Sequence, residues 1–254
     1  MPQIIAFTSP KGGCGATFVC ASVCRMLAEK SHTVLALDMC FDKCTLDFAL
    51  GFQNEYVYTF SDVIRGDCSF SDAVCRGYGD FLRADYERDL FDYNRAAEIL
   101  KNSSYEYVLI DVSSIYDEAP NKVAAFADKL VLVTDPAPVS ARLCQSISER
   151  IGDICDICVV INKIVPYYIR DGIHLTVDEV LDSVGYPLLG LVPWDYAAEF
   201  VLANASETMD DYLCLKNPFS NIADRICGER VAACDMEAFF KDGRIYKYLT
   251  KGRK

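Results

Sequence analysis

Six short apolar runs constrain this chain more than any other feature: Gln3–Thr8, Thr33–Leu37, Tyr107–Ile110, Lys129–Thr134, Ile157–Ile161 and Leu188–Val192. They are rich in Val, Ile and Leu and do not alternate apolar with polar residues. A strand with one wet face must alternate, because successive side chains point to opposite sides; a strand covered on both faces need not. Between the runs lie segments with helical spacing, at Thr17–Glu29, Tyr93–Lys101, Ala119–Ala127, Val139–Ile151 and Val177–Val184. Strand and helix in alternation predict an α/β chain: one doubly wound, mostly parallel sheet, helices on both faces, right-handed crossovers. No repeat or Pro/Gly/Ser-rich linker interrupts the pattern, so one domain is expected over residues 1–235, followed by a tail at 236–254.

Charge narrows the function classes. There are 25 Lys+Arg against 37 Asp+Glu, a net charge of −12. Binding along a phosphate backbone depends on basic surface, so this balance argues against DNA as a partner. The 13 cysteines follow no basic, apolar leader, which predicts a reducing, cytoplasmic setting with free thiols acting as small hydrophobes. Cys155 and Cys158 form one C-x-x-C pair, but a zinc site wants a second pair, so core thiols are the expected reading. His32 and His174 lie in polar, loop-like surroundings and receive no role.

The chemistry concentrates after the first apolar run. Ser9-Pro10-Lys11-Gly12-Gly13-Cys14-Gly15-Ala16-Thr17 joins the strand Ile4–Thr8 to the helix that follows. Glycines between a strand and a helix N-terminus let backbone N–H groups approach an anion, and the helix dipole adds positive potential, so the loop predicts a phosphate cradle. The common phosphate-loop pattern G-x-x-x-x-G-K-[ST] is not met: Pro10 takes the first glycine's place and Ala16 the lysine's.

Lys11-Gly12-Gly13-x-Gly15-x-Thr17 resembles instead the deviant Walker A motif of the MinD/ParA ATPases. Four more landmarks follow in the family's order: Thr33–Asp38 resembles its second strand and terminal Asp, Cys44–Gly51 its N-L-D-x-x-L-G stretch, Tyr107–Asp111 its Walker B strand, and Asn162-Lys163 with Pro193 and Asp195 its adenine surround. The resemblance implies ATP or ADP with Mg²⁺. It implies nucleotide contacts from Lys11, Gly12, Gly13, Gly15, Ala16, Thr17, Phe18, Asn162, Pro193 and Asp195, and metal contacts from Thr17, Asp38 and Asp111. It also implies a homodimer across the nucleotide face, with Lys11 reaching the partner's phosphate. Trp194, the one tryptophan, either walls the adenine pocket or packs under its loop.

Three departures weaken the implied catalysis. Ala16 removes the lysine that bridges β- and γ-phosphates, and phosphoryl transfer is mostly positioning and electrostatics. Cys40 stands where active relatives carry an Asp that positions the attacking water, which leaves Lys11, Asp38 and Asp42 as catalytic candidates. Asp111-Val112-Ser113-Ser114 lacks the family's D-x-P-x-G. This combination resembles the TadZ/CpaE-like branch, which implies an ATP-binding protein of little or no turnover that recruits pilus or secretion machinery. An active switch ATPase of division, flagellar or partition type is the alternative, and a metabolic enzyme of the same fold a second one. Lys241–Lys254 carries six basic residues and one acidic, a net +5, so the −12 of the whole chain becomes −17 over residues 1–240. That tail resembles in kind the basic amphipathic ends of MinD-like relatives, which implies peripheral contact with the inner face of a membrane; a solvated basic terminus is the plainer reading.

Overall fold

A computed structural model of the protein describes residues 1–41, 44–52, 56–84, 91–112, 114–147, 151, 154–196, 198 and 213–231. Seven strands form its sheet: β1 (Gln3–Thr8), β2 (Val34–Met39), β3 (Asp80–Arg83), β4 (Tyr107–Val112), β5 (Lys129–Thr134), β6 (Asp156–Ile164) and β7 (Leu188–Pro193). Their order is β3-β2-β4-β1-β5-β6-β7, and every ladder in it is parallel.

The non-alternating runs have their expected cause. Ile5, Phe7, Val131 and Val133 point to one face, where α1 (Ala16–Glu29) and α10 (Leu213–Ile226) cover them. Ile4, Ala6, Leu130 and Leu132 point to the other, under α5 (Tyr93–Lys101), α6 (Ala119–Ala124), α7 (Pro138–Cys144) and α9 (Val177–Val184). Both faces are therefore apolar. The α10 layer sits close: a Cβ at Gly190 would lie 2.3 Å from Ile222 Cγ1, so β7 can be approached there only without a side chain.

Several elements depart from the sequence expectation. β3 is only four residues long, and α2 (Leu46–Leu50), α3 (Phe60–Arg65), α4 (Phe70–Ala73) and α8 (Pro166–Arg170) are too short to show a helical period. The capping boxes Thr59/Asp62 and Ser69/Asp72 start α3 and α4. The helix expected at Val139–Ile151 begins as α7, one residue earlier because Pro138 suits the first helical position; α7 ends at Cys144, a turn follows, and Ile147 and Ile151 are again helical. Asp42, Ser113, the boundary at 235 and the basic tail lie outside the described residues. Among those described, no helix is long and apolar enough to cross a membrane.

A parallel sheet gathers the C-terminal ends of all its strands along one edge. The connections leave β1 toward β4 and β2 on one side and toward β5 and β6 on the other, which opens a crevice at the end of β1. The loop after β1 lies in that crevice.

Candidate functional site

The loop from Ser9 to Gly15 is held from two directions. Ser9 Oγ donates to the Lys11 carbonyl at 2.9 Å. From the end of β6, Asn162 Nδ2 donates to the Cys14 carbonyl at 2.8 Å and Lys163 Nζ to the Gly13 carbonyl at 2.9 Å. In a trans peptide the following N–H points opposite to the carbonyl. The amides of Cys14 and Gly15 are therefore turned away from the β6 side chains that hold the carbonyls before them. Gly13 and Gly15 have φ of 87° and 92°, a left-handed conformation that side chains disfavour. At Gly15 there is no room either, since a Cβ would lie 2.4 Å from Asn162 Nδ2.

Gly15 is also the cap of α1, and no side chain bonds the helix's first turn. The intrahelical ladder begins with Val19 N–H on the Gly15 carbonyl at 3.0 Å. The N–H groups of Ala16, Thr17 and Phe18 thus precede the ladder and suit an anion. Phe18 offers only its backbone here, because its ring packs edge-on against Phe219 at 5.5 Å in the core. Ala16 is buried and carries no charge.

Lys11 Nζ lies 3.0 Å from Asp135 Oδ2. Burial pushes the Asp135 carboxyl up, but the Ser140 hydroxyl and the Lys11 ammonium outweigh it and hold the group below its ordinary range. The Ala137 N–H adds a bond at 3.3 Å. Lys11 is thus paired within its own chain.

Asp38 and Asp111 are direct partners in the β2–β4 ladder. Asp38 accepts from the N–H of Cys40 at 2.9 Å and of Leu46 at 3.0 Å. Burial nevertheless raises its carboxyl to about 6. Asp111 is buried, and neither of its oxygens has a hydrogen bond of full geometry, although the Thr17 hydroxyl and the Cys40 thiol lie beside it. Burial, and then the charge of Asp38, push it to about 8, while the Thr17 hydroxyl and the Cys40 thiol pull the other way. Ligand atoms of Asp38, Cys40 and Asp111 lie within 4.8 Å of one another. A buried carboxylate without a well-formed hydrogen bond, beside a second one and a threonine hydroxyl, fits a hard divalent cation such as Mg²⁺. The thiol does not: it is a soft ligand, and burial together with both carboxylates drives it far above its ordinary pKa.

On the far side of Lys163 a cleft of about 350 Å³ is lined by Asp135, Lys163, Val165, Tyr168, His174 and Trp194 among others. Trp194 thus lines this cleft. Its N–H donates to the Ile164 carbonyl at 2.9 Å, which ties the end of β7 to the end of β6. Pro193 and Asp195 bracket it, and Asp195 is buried. Asn162 stays at the loop and does not reach the cleft. Sequence reasoning passed over Asp135, Val165, Tyr168 and His174. The position of Asp135 directly after β5, at the sheet edge where α/β sites collect, was a usable signal. His174 was not legible: its ring meets Tyr168 edge-on at 5.0 Å through a turn that no motif marks.

Comparison with known proteins agrees with this geometry. Residues 5–206 match the family described as CobQ/CobB/MinD/ParA nucleotide binding domain. A MinD-named protein of Emiliania huxleyi is 29% identical over 270 residues, covering 99% of this chain and 98% of its own length. The chain also superimposes on the MinC:MinD cell division protein complex of Aquifex aeolicus, with a TM-score of 0.83 at 24% identity, over 91% of this chain and 97% of that one. MinD of Pyrococcus horikoshii complexed with Mg-ADP gives 0.76 at 22% identity, over 96% and 100%.

Proposed function

The chain belongs to the CobQ/CobB/MinD/ParA nucleotide-binding domain family, and from that membership we propose that it binds ATP or ADP with Mg²⁺, turns it over slowly or not at all, and acts by dimerising and recruiting protein machinery. In this reading Lys11, Gly12, Gly13, Gly15, Ala16, Thr17 and Phe18 surround the phosphates. Thr17, Asp38 and Asp111 serve the metal, Pro193 and Asp195 serve the base, and Asn162 acts between the two by bracing the loop. The bound Mg-nucleotide would supply the metal charge and the reactive phosphorus. The chain's own part is to present the first-turn amides of α1, to keep Asp111 without a well-formed internal hydrogen bond, and to brace the loop from β6.

The observation that carries the weak-turnover reading is the pairing of Ala16 with Cys40. At position 16 the loop has a buried methyl in place of a cation. At position 40 it has a thiol whose burial and acidic neighbours keep it protonated and unfit to orient water. Losing one strong cationic contact in a desolvated site costs on the order of several kcal/mol. Purified protein is expected to bind ATP without measurable turnover, and Ala16→Lys is expected to tighten ATP binding about tenfold or more. Turnover at the rate of an active switch ATPase, lost on Lys11→Ala, would overturn this reading.

The recruited machinery is of the pilus or secretion type if the TadZ/CpaE-like character of the loop is the better guide. The MinD-named relatives favour a second reading, an active division-site switch. Turnover separates the two. A cytoplasmic protein that touches the inner face of the membrane through its basic tail fits both, and flotation with anionic vesicles, with and without residues 241–254, tests that contact.

A further inference from the structure

At the end of the sheet opposite the phosphate loop, three side chains stand in line. Cys227, the residue after α10, has its Sγ 3.6 Å from Nε2 of His32, in the turn between α1 and β2. On the other side of the ring, His32 Nδ1 lies 3.3 Å from Glu106 Oε1. Glu106 is itself fixed: its Oε2 accepts the Thr33 N–H at 2.8 Å, and its own N–H donates to Thr33 Oγ1 at 3.0 Å. Tyr107, the first residue of β4, donates its hydroxyl to Cys227 Sγ at 3.4 Å and meets the His32 ring edge-on at 5.1 Å. Cys227 is half-buried, unlike the thiols of Cys14, Cys20 and Cys24, which lie in the core.

Nothing in the nucleotide-binding reading uses this group. A thiol against one imidazole nitrogen, with a fixed carboxylate on the other, is the arrangement that makes a nucleophile from cysteine. The carboxylate sets which ring nitrogen carries the proton, leaving Nε2 to accept one from sulfur. The tyrosine hydroxyl supplies a hydrogen bond to the sulfur that remains. Acyl transfer would also need donors for an oxyanion. Exchange with a disulfide develops no oxyanion and needs only the activated thiol. His32 also forms part of the wall of a cleft of about 320 Å³ that includes Arg76 and Tyr78.

We propose that Cys227 is a modification site, a thiol activated by His32 and oriented through Glu106 that exchanges with low-molecular-weight disulfides of the glutathione type. The Cys227 proton passes to His32 Nε2, and Sγ attacks one sulfur of the disulfide. The S–S bond breaks as the new Cys227–sulfur bond forms, and the departing thiolate takes the proton back from His32. Cys227 is oxidised to a mixed disulfide and the other half of the reagent is reduced to a free thiol.

Cys68 provides an internal standard, being half-buried too but facing the carboxylates of Asp62, Asp67 and Asp72. The full chain is incubated with oxidised glutathione, and mixed disulfide at each cysteine is followed by peptide mass spectrometry. Cys227 is expected to react at least about tenfold faster than Cys68, and His32→Gln to remove most of that advantage. Glu106→Gln should slow Cys227 less, with the rate at Cys68 unchanged. Equal rates at Cys227 and Cys68 in the unsubstituted protein overturn the proposal without any variant. So does a folded His32→Gln protein in which Cys227 keeps its advantage.

Discussion

Asp111 is buried beside a second carboxylate, and the folded chain bears the cost whenever it ionises. Its carboxyl holds a proton in the folded protein up to about pH 8, whereas in an unfolded chain it ionises near pH 4. Between those values the native state binds more protons, so this group makes stability fall as pH rises from about 4 to about 8. Asp111→Asn should remove that slope, which is at most about 1.4 kcal/mol per pH unit, so the variant should gain stability relative to the unsubstituted nucleotide-free protein between pH 5 and pH 8. Denaturant melts at pH 5 and pH 8 check the slope, and loss of Mg²⁺-dependent nucleotide binding by the same variant checks the reason the carboxylate is there. At this scale much of the site was legible. Asp38 and Asp111 end apolar runs, and strand ends are where an α/β sheet collects its chemistry. What could not be read was their direct pairing across β2 and β4, because register belongs to the ladder and not to either run.

Elements are set by contacts that the local sequence does not contain. α1 and its glycine loop are the exception, since the loop announces both a turn and a helix start. Gly15→Ala should cost about 1–2 kcal/mol from the left-handed backbone alone, and more if Asn162 cannot give way. Thermal unfolding measures the first effect. A loss of nucleotide affinity larger than the stability change would show that displacing Asn162 disturbs the Cys14 carbonyl and the amides behind it. β3 and α10 were missed for opposite reasons. β3 pairs with β2 and, at Phe81, with Cys75, and its four residues carry too little pattern to stand out. α10 is long, but Pro218 lies inside it, and a proline reads as a breaker in sequence. Packing against α1 and β7 overrides that reading, as the close fit of Ile222 on Gly190 illustrates.

For the molecule as a whole, the layered α/β fold was the most legible property, because an apolar run without alternation needs cover on both of its faces. The site edge was legible in part: its phosphate side has a motif, while the cleft beyond Lys163 is assembled from turns after β5, β6 and β7. Trp194 in that cleft is the chain's single tryptophan. Its emission should shift when ATP or ADP is added, and an unchanged spectrum at saturating nucleotide, with binding shown independently, would place the base elsewhere. The parallel sheet has one more consequence. Because every strand runs the same way, the molecule has two unlike poles, and strand β4 reaches both, with Tyr107 at one and Asp111 near the other. The proposed twin copy on the phosphate pole and the proposed exchange at Cys227 would lie at opposite ends of the sheet. Such a protein would be assembled from one end and addressed from the other, so the state of its surroundings could be written onto it without first taking the assembly apart.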